Sequence, residues 1–232
     1  MNGRKSTNNK SPSADSAGKA GDGVLELPAI TLLKPARGRS VSVYSSLRER
    51  KTIRSIGKKE LSPQMLSNLL WAACGVNRKE GPFGVPGITA ASASNSQEID
   101  LYVALKEGVY LYDSAGHRLV PVVAGDLRAL AIGRGQGSAG AEAPVRLIYV
   151  VDIEKFGRAG FQEPGLKDSE TQKAYYFVDT GLIAGNVYLF AASQGLAAWF
   201  HNCDKAALAK ELKLRPGQRV LFGQTIGYEG EE

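Results

Sequence analysis

The chain has 232 residues, of which 43% are hydrophobic and 22% charged, a globular composition that excludes a fibre or a disordered tail. Its formal net charge is +6, but the basic residues are spread along the chain without a zinc-finger, helix-turn-helix or RNP pattern, which argues against a nucleic-acid partner. The same positive field suits an anionic cofactor or substrate.

In chain order, residues 1–22 are rich in Ser, Asn, Lys, Gly and Ala and lack an apolar core, so they form neither a signal peptide nor a membrane span. They read as a disordered leader, and residues 23–232 as one domain. The expected location is the cytoplasm, with the periplasm as the alternative, because a signal already removed would leave the same trace. Leu25, Leu27, Ile30, Leu32 and Leu33, punctuated by Pro28 and Pro35, read as an extended arm lying on the domain. Ser42 to Arg50 has weak helical character. Ser62-Pro63 then supplies an N-cap and a first-turn proline for a helix carrying Met65, Leu66, Leu69, Leu70 and Ala73, which Gly75 stops. Cys74, at its end, reads as a small buried hydrophobe rather than half of a disulfide.

Residues 76–90, rich in glycine and proline, read as a loop. Alternation in Ile99, Leu101, Val103 and Leu105 starts an antiparallel meander with turns at Lys106–Gly108 and Asp113–Gly116 and strands Val109–Tyr112 and His117–Val123. The run Val145–Val151 predicts a central strand buried on both faces. Residues 168–194 predict a helix roughly 40 Å long, closed by Gly195. It is apolar almost all round, yet Asp179, Asn186 and Lys173 oppose a membrane span. A core or interface helix follows, and Gly181, Ala184 and Gly185 suggest close approach by another helix. Strands at Leu196–His201 and Arg219–Tyr228 complete an α+β domain with helices around a largely antiparallel sheet.

Two segments carry chemistry. Arg48, Arg50, Lys51 and Arg54 crowd seven residues around Thr52, and forked guanidinium groups with a hydroxyl suit a phosphomonoester. A solvated charged surface is the bland alternative. Ser92, Ala93, Ser94 and Asn95 lie in a small-residue stretch just before a strand, with Asn95 offering both donor and acceptor; a polar turn is the alternative there. No G-x-G-x-x-G, P-loop or nucleophile elbow is present, so a Rossmann site, a nucleoside triphosphatase and a hydrolytic triad lose their main support. The two histidines, His117 and His201, are far apart, and no metal site is expected.

The order of these features resembles the nitroreductase superfamily. Arg50-Lys51-Thr52-Ile53-Arg54 is similar to its R-R-S-x-R block, and Ser92-Ala93-Ser94-Asn95-Ser96-Gln97 to its P-S-a-x-N-x-Q segment. Asp179 to Leu196 is similar to its long helix with a G-L terminus, and Ile226-Gly227-Tyr228 to its final strand. Leu69–Gly75 and the start of the long helix resemble the branch that includes dehydrogenases of azoline-forming peptide-modifying clusters. Ala91 stands where proline is usual and Ser94 where glycine is common, and no basic tail follows Tyr228.

The resemblance implies a nitroreductase-like fold with the long central helix at a homodimer interface, and FMN shared between subunits. Arg50, Lys51, Thr52 and Arg54 of one subunit would hold the phosphate and ring edge, with Ser92, Ala93, Ser94 and Asn95 supplied by the other. The amides of Ala197 and Ala198, just after Leu196, would lie near the flavin ring. The implied activity is ping-pong hydride transfer from NADH or NADPH to a small organic acceptor such as a quinone or nitroaromatic, with no catalytic acid singled out. A flavin-sequestering protein, its substrate face blocked by Trp199 and Phe200, is the rival reading.

Overall fold

The computed structural model describes residues 26–36, 41–133 and 142–230, so the leader expected over residues 1–22 lies outside the described residues. The apolar arm is extended and contributes a two-residue strand, Ile30–Thr31 (β1). Val43–Glu49 (α1) starts at Ser42, whose hydroxyl accepts from the Ser45 amide at 3.0 Å. Pro63–Cys74 (α2) starts at Ser62 with proline in its first turn. Gly75 ends it in extended backbone at φ −75°, and a Cβ there would sit 2.4 Å from the Trp71 ring, so contact rather than φ requires the glycine.

Part of the stretch expected to be loop is instead a small ribbon, Val76–Arg78 (β2) against Gly87–Ile88 (β3), spanned by a 3-10 turn at Pro82–Gly84. Strands this short leave no alternation to read. Ile99–Ala104 (β4), Gly108–Asp113 (β5) and Arg118–Ala124 (β6) form the expected meander. With Val145–Asp152 (β7), Ala197–His201 (β8) and Gln218–Gly227 (β9) they build a seven-stranded sheet in the order β1-β6-β5-β4-β7-β9-β8, every pairing antiparallel. All eight residues of β7 are buried, as its unbroken apolar run predicts.

Ser169–Gln194 (α3) is the long helix. Asp168 caps it, accepting from Thr171 N at 2.8 Å, and Gly195 closes it in left-handed backbone at φ 69°. Strand alternation sends Leu101, Val103, Leu147, Tyr149 and Val151 to a core shared with α2 and α3. Tyr102, Ala104, Ile148 and Val150 point the other way, onto Leu208 of a short helix, Lys205–Glu211 (α4), that the sequence reading did not anticipate. The sheet is thus a middle layer.

On α3, Tyr176, Ile183, Val187 and Ala191 are buried, whereas Phe177, Val178 and Leu182 are exposed and the space around Gly181 and Gly185 is open. Ala184 corrects the expectation that grouped it with those glycines: only 5% exposed, it faces its own chain's core. Among the described residues no helix is long and apolar enough to cross a membrane.

Candidate functional site

The basic block begins where α1 ends. The Arg50 amide closes α1 on Ser46 O at 2.9 Å, and the chain then runs along the outer edge of β8. Ile53 N donates to Ala198 O at 3.1 Å, Gly57 N to Tyr228 O at 2.9 Å, and Gly230 N to Ser55 O at 3.0 Å. Ile53 and Ile56 turn inward onto Ala143, Ala197 and Trp199. That inward anchoring leaves Arg50, Lys51, Thr52 and Arg54 on the outside, all exposed.

Arg50 lies over the Tyr188 ring at 5.5 Å and Arg54 over the Trp199 ring at 5.7 Å, contacts that leave the guanidinium charge unneutralised. Thr52 Oγ1 is 3.2 Å from the Tyr188 hydroxyl, which also accepts from Phe200 N at 2.8 Å. Among the described residues Arg50, Lys51 and Arg54 have no carboxylate partner, whereas Arg48 is paired with Glu49 at 3.1 Å and drops out of the group. Three unneutralised cations beside a hydroxyl are the donor set a phosphomonoester requires.

The loop from Ser92 to Gln97 is strained and firmly held. Ser94, Asn95 and Gln97 all stand at positive φ, 49°, 54° and 49°. Such backbone costs on the order of 1 kcal/mol or more per residue and persists only where the surroundings over-determine it. Here they do: Gln97 N donates to Ser92 Oγ at 3.0 Å, Ala93 N to Asp179 Oδ2 at 2.9 Å, and Ser94 Oγ to Glu163 Oε1 at 3.2 Å. Asn95 accepts from Gln97 Nε2 at 3.0 Å and donates to Val85 O at 3.3 Å.

Behind the loop lies a pair of buried carboxyls absent from the sequence reading. Glu98 is wholly buried and Asp179 5% exposed. Burial, then the neighbouring Asp179, push Glu98 up to about 7, although the Ser96 hydroxyl donates to it at 2.6 Å; burial also raises Asp179. Asp179, an acid within an otherwise apolar helix, was a sequence signal; Glu98 follows a polar run and gave none.

The loop and the basic block meet α3 at different levels. Ala93 is held by Asp179 and Thr52 by Tyr188, nine residues further along and roughly 13 Å by helical rise. Gly181, Leu182 and Gly185 lie between. A cavity of about 650 Å³ is walled by Ser92, Ser94 and Asn95 together with Arg78, Phe83, Phe161 and Glu163, and no residue of the basic block lines it. One chain therefore displays two separate clusters of the expected site residues.

Leu196 is buried and its amide returns to Ala191 O at 2.9 Å. In β8, Ala198 O accepts from Ile53 N and Phe200 N donates to Tyr188, so alternation points the Ala198 amide to the same outer edge and the Ala197 amide toward β9. Trp199 is a core residue, and Phe200 packs on Phe222 at 4.9 Å and Tyr149 at 5.8 Å. Burial pushes the Cys74 thiol up to about 12 and Cys203 up to about 11, so neither is a thiolate at neutral pH.

Comparison with known proteins places the whole chain. A sequence profile described as the nitroreductase family matches residues 47–228, from the end of α1 to the end of the last strand. The chain belongs to the nitroreductase family. Its members are generally FMN-dependent oxidoreductases. A crystal structure of a candidate nitroreductase from Ralstonia eutropha is similar at a TM-score of 0.76 and 32% identity, covering 88% of this chain and 90% of the other. The Escherichia coli microcin synthetase complex with a truncated microcin precursor bound contains a chain similar at a TM-score of 0.63 and 17% identity, covering 94% and 85%. An FMN-dependent nitroreductase of Clostridium difficile is similar at a TM-score of 0.53 and 18% identity, covering 82% and 88%. The nitroreductase-like α+β fold expected from the sequence is thereby established.

Proposed function

We propose that this nitroreductase-family chain is an FMN-dependent oxidoreductase, with two flavin sites shared between the subunits of a homodimer. The observation that carries the reading is the pairing of an unneutralised basic block with a strained small-residue loop, set apart along α3 on either side of an open, apolar stretch of that helix. A second chain packed on that stretch would bring its own loop to the first chain's basic block.

FMN, when bound, would supply two-electron chemistry between NADH or NADPH and a small organic acceptor in a ping-pong cycle. The chain's residues bind and orient. Arg50 and Arg54 hold the phosphate as forked donors, with Lys51 and the Thr52 hydroxyl beside them. Ser92, Ala93, Ser94 and Asn95 of the other subunit close over the cofactor, with Asn95 exchanging its hydrogen bonds to Gln97 and Val85 for the pyrimidine edge. Of the Leu196-Ala197-Ala198 segment, the outward Ala198 amide is the donor available to the ring. The packing of Trp199 into the core and of Phe200 on Phe222 and Tyr149 supports this reading over the flavin-sequestering alternative, which needed those two rings on the substrate face.

The visible spectrum of the purified protein, followed by anaerobic titration with NADH and NADPH, tests the reading. A flavin spectrum bleached by either nucleotide and restored by a quinone is expected; bound flavin inert to both would leave only a binding protein. Arg54→Ala should weaken FMN about tenfold to a hundredfold, the worth of a charge-assisted phosphate contact, while the variant stays folded. Unchanged affinity would make the block a solvated face. Asn95→Leu should weaken riboflavin as well as FMN, since the contact is to the ring; an effect confined to FMN would place Asn95 at the phosphate instead.

A further inference from the structure

The cavity beside the Ser92–Asn95 loop has walls that the flavin reading does not use. Phe83 and Phe161 stack across its rim with ring centroids 5.3 Å apart and planes 24° apart, and both are about half exposed, at 53% and 51%. Phe83 stands at φ 61°, a conformation that a bulky residue rarely adopts. Gly160 holds it there: a Cβ on Gly160 would come 2.4 Å from Phe83 Cβ and 2.7 Å from its carbonyl oxygen. The β2–β3 ribbon and the segment after β7 are thus interlocked around two open ring faces.

Arg78 supplies the charge of the recess. Its Nη1 donates to Asn77 Oδ1 at 2.9 Å, and its guanidinium lies so close over Gly87 that a Cβ there would be 2.3 Å from Cζ. Among the described residues it has no carboxylate partner, whereas Glu163, which also lines the cavity, accepts from the Ser94 hydroxyl at 3.2 Å. A guanidinium packed closely against backbone and held by one hydrogen bond keeps further donors for a bidentate anion.

We infer that this recess is the acceptor subsite, and that it selects flat conjugated acceptors bearing a carboxylate, the ring seated against Phe83 and Phe161 and the carboxylate on Arg78. The inference rests on the reading that the adjoining loop borders the flavin. Its test compares the purified flavoprotein on 4-nitrobenzoate and on the neutral isostere 4-nitrobenzamide. The wild type should favour the anion by about tenfold in kcat/KM, through KM. Arg78→Gln should bring that ratio to about one with FMN content still stoichiometric, and Phe161→Ala should raise KM for both compounds. A wild-type ratio near one, a ratio that survives Arg78→Gln, or loss of FMN or of nicotinamide affinity in that variant would overturn the inference while leaving the flavin reading intact. Calorimetric titration with benzoate and benzamide separates the two ideas from the other side. Benzoate preference that depends on Arg78 in a protein without flavin turnover would sink the flavin reading and keep the recess.

Discussion

Glu98 and Asp179 place two acids in contact inside the protein, where both cannot ionise without a large desolvation cost. Glu98 keeps its proton to about pH 7 in the folded chain and to about 4.5 in the unfolded one. As pH rises through that window the unfolded state releases a proton that the folded state retains, so stability falls, and the loss is complete above the folded value. Glu98→Gln should therefore be more stable than wild type in urea unfolding at pH 8, with the advantage gone near pH 4.5; an equal difference at both would refute the retained proton. His201 acts in the opposite sense. Burial lowers it from 6.5 to about 4, and its ring is fixed by Asn202 O at 2.8 Å and Thr225 Oγ1 at 2.7 Å. Its contribution is complete above 6.5 and is lost as pH falls toward 4, so Glu98→Gln should expose a steeper acid-side decline than wild type shows.

At the scale of elements, α3 owes its ends to two residues. Gly195→Ala places a Cβ on left-handed backbone at φ 69° and should cost about 1 kcal/mol, visible as a lowered Tm, although the space around it is open. An unchanged Tm would mean that the turn relaxes. The longer elements were legible because each carries a signal of its own: a helical apolar repeat in α2, alternation in β4, turns around β5 and β6, an unbroken apolar run in β7, and length with a closing glycine in α3. β1, the β2–β3 ribbon and α4 are too short to do so. Ala184 shows a second limit, since a helix apolar on every side does not reveal which side its own sheet takes. The same distinction runs through the site. Arg50 to Arg54 and Ser92 to Asn95 are contiguous and carry their donors together, so the sequence displays them. Arg78, Phe83, Phe161, Glu163 and Glu98 come from segments that only the tertiary fold assembles.

At the scale of the whole molecule, one face stays apolar and uncovered in the single chain. Val178 and Leu182 of α3 are 60% and 44% exposed, and Tyr44 and Leu47 of the neighbouring α1 are 76% and 58% exposed, a concentration of apolar surface that marks an interface. If the partner is a second copy, Leu182→Glu should dissociate the dimer and release FMN in the same step. Sedimentation showing a flavin-saturated wild-type monomer would refute the shared site. The main-chain bonds that tie residues 53–57 to β8 and to the chain after β9 carry a different consequence. They close an edge that would otherwise be open to another strand, and they belong to the segment that bears the basic block. Peeling that segment away would bare a template for self-association, so an anion bound as proposed at Arg50 and Arg54 would also guard the sheet. Hydrogen exchange at the outward amides of β8 should slow when the cofactor is added, while β7, buried on both faces, should not respond.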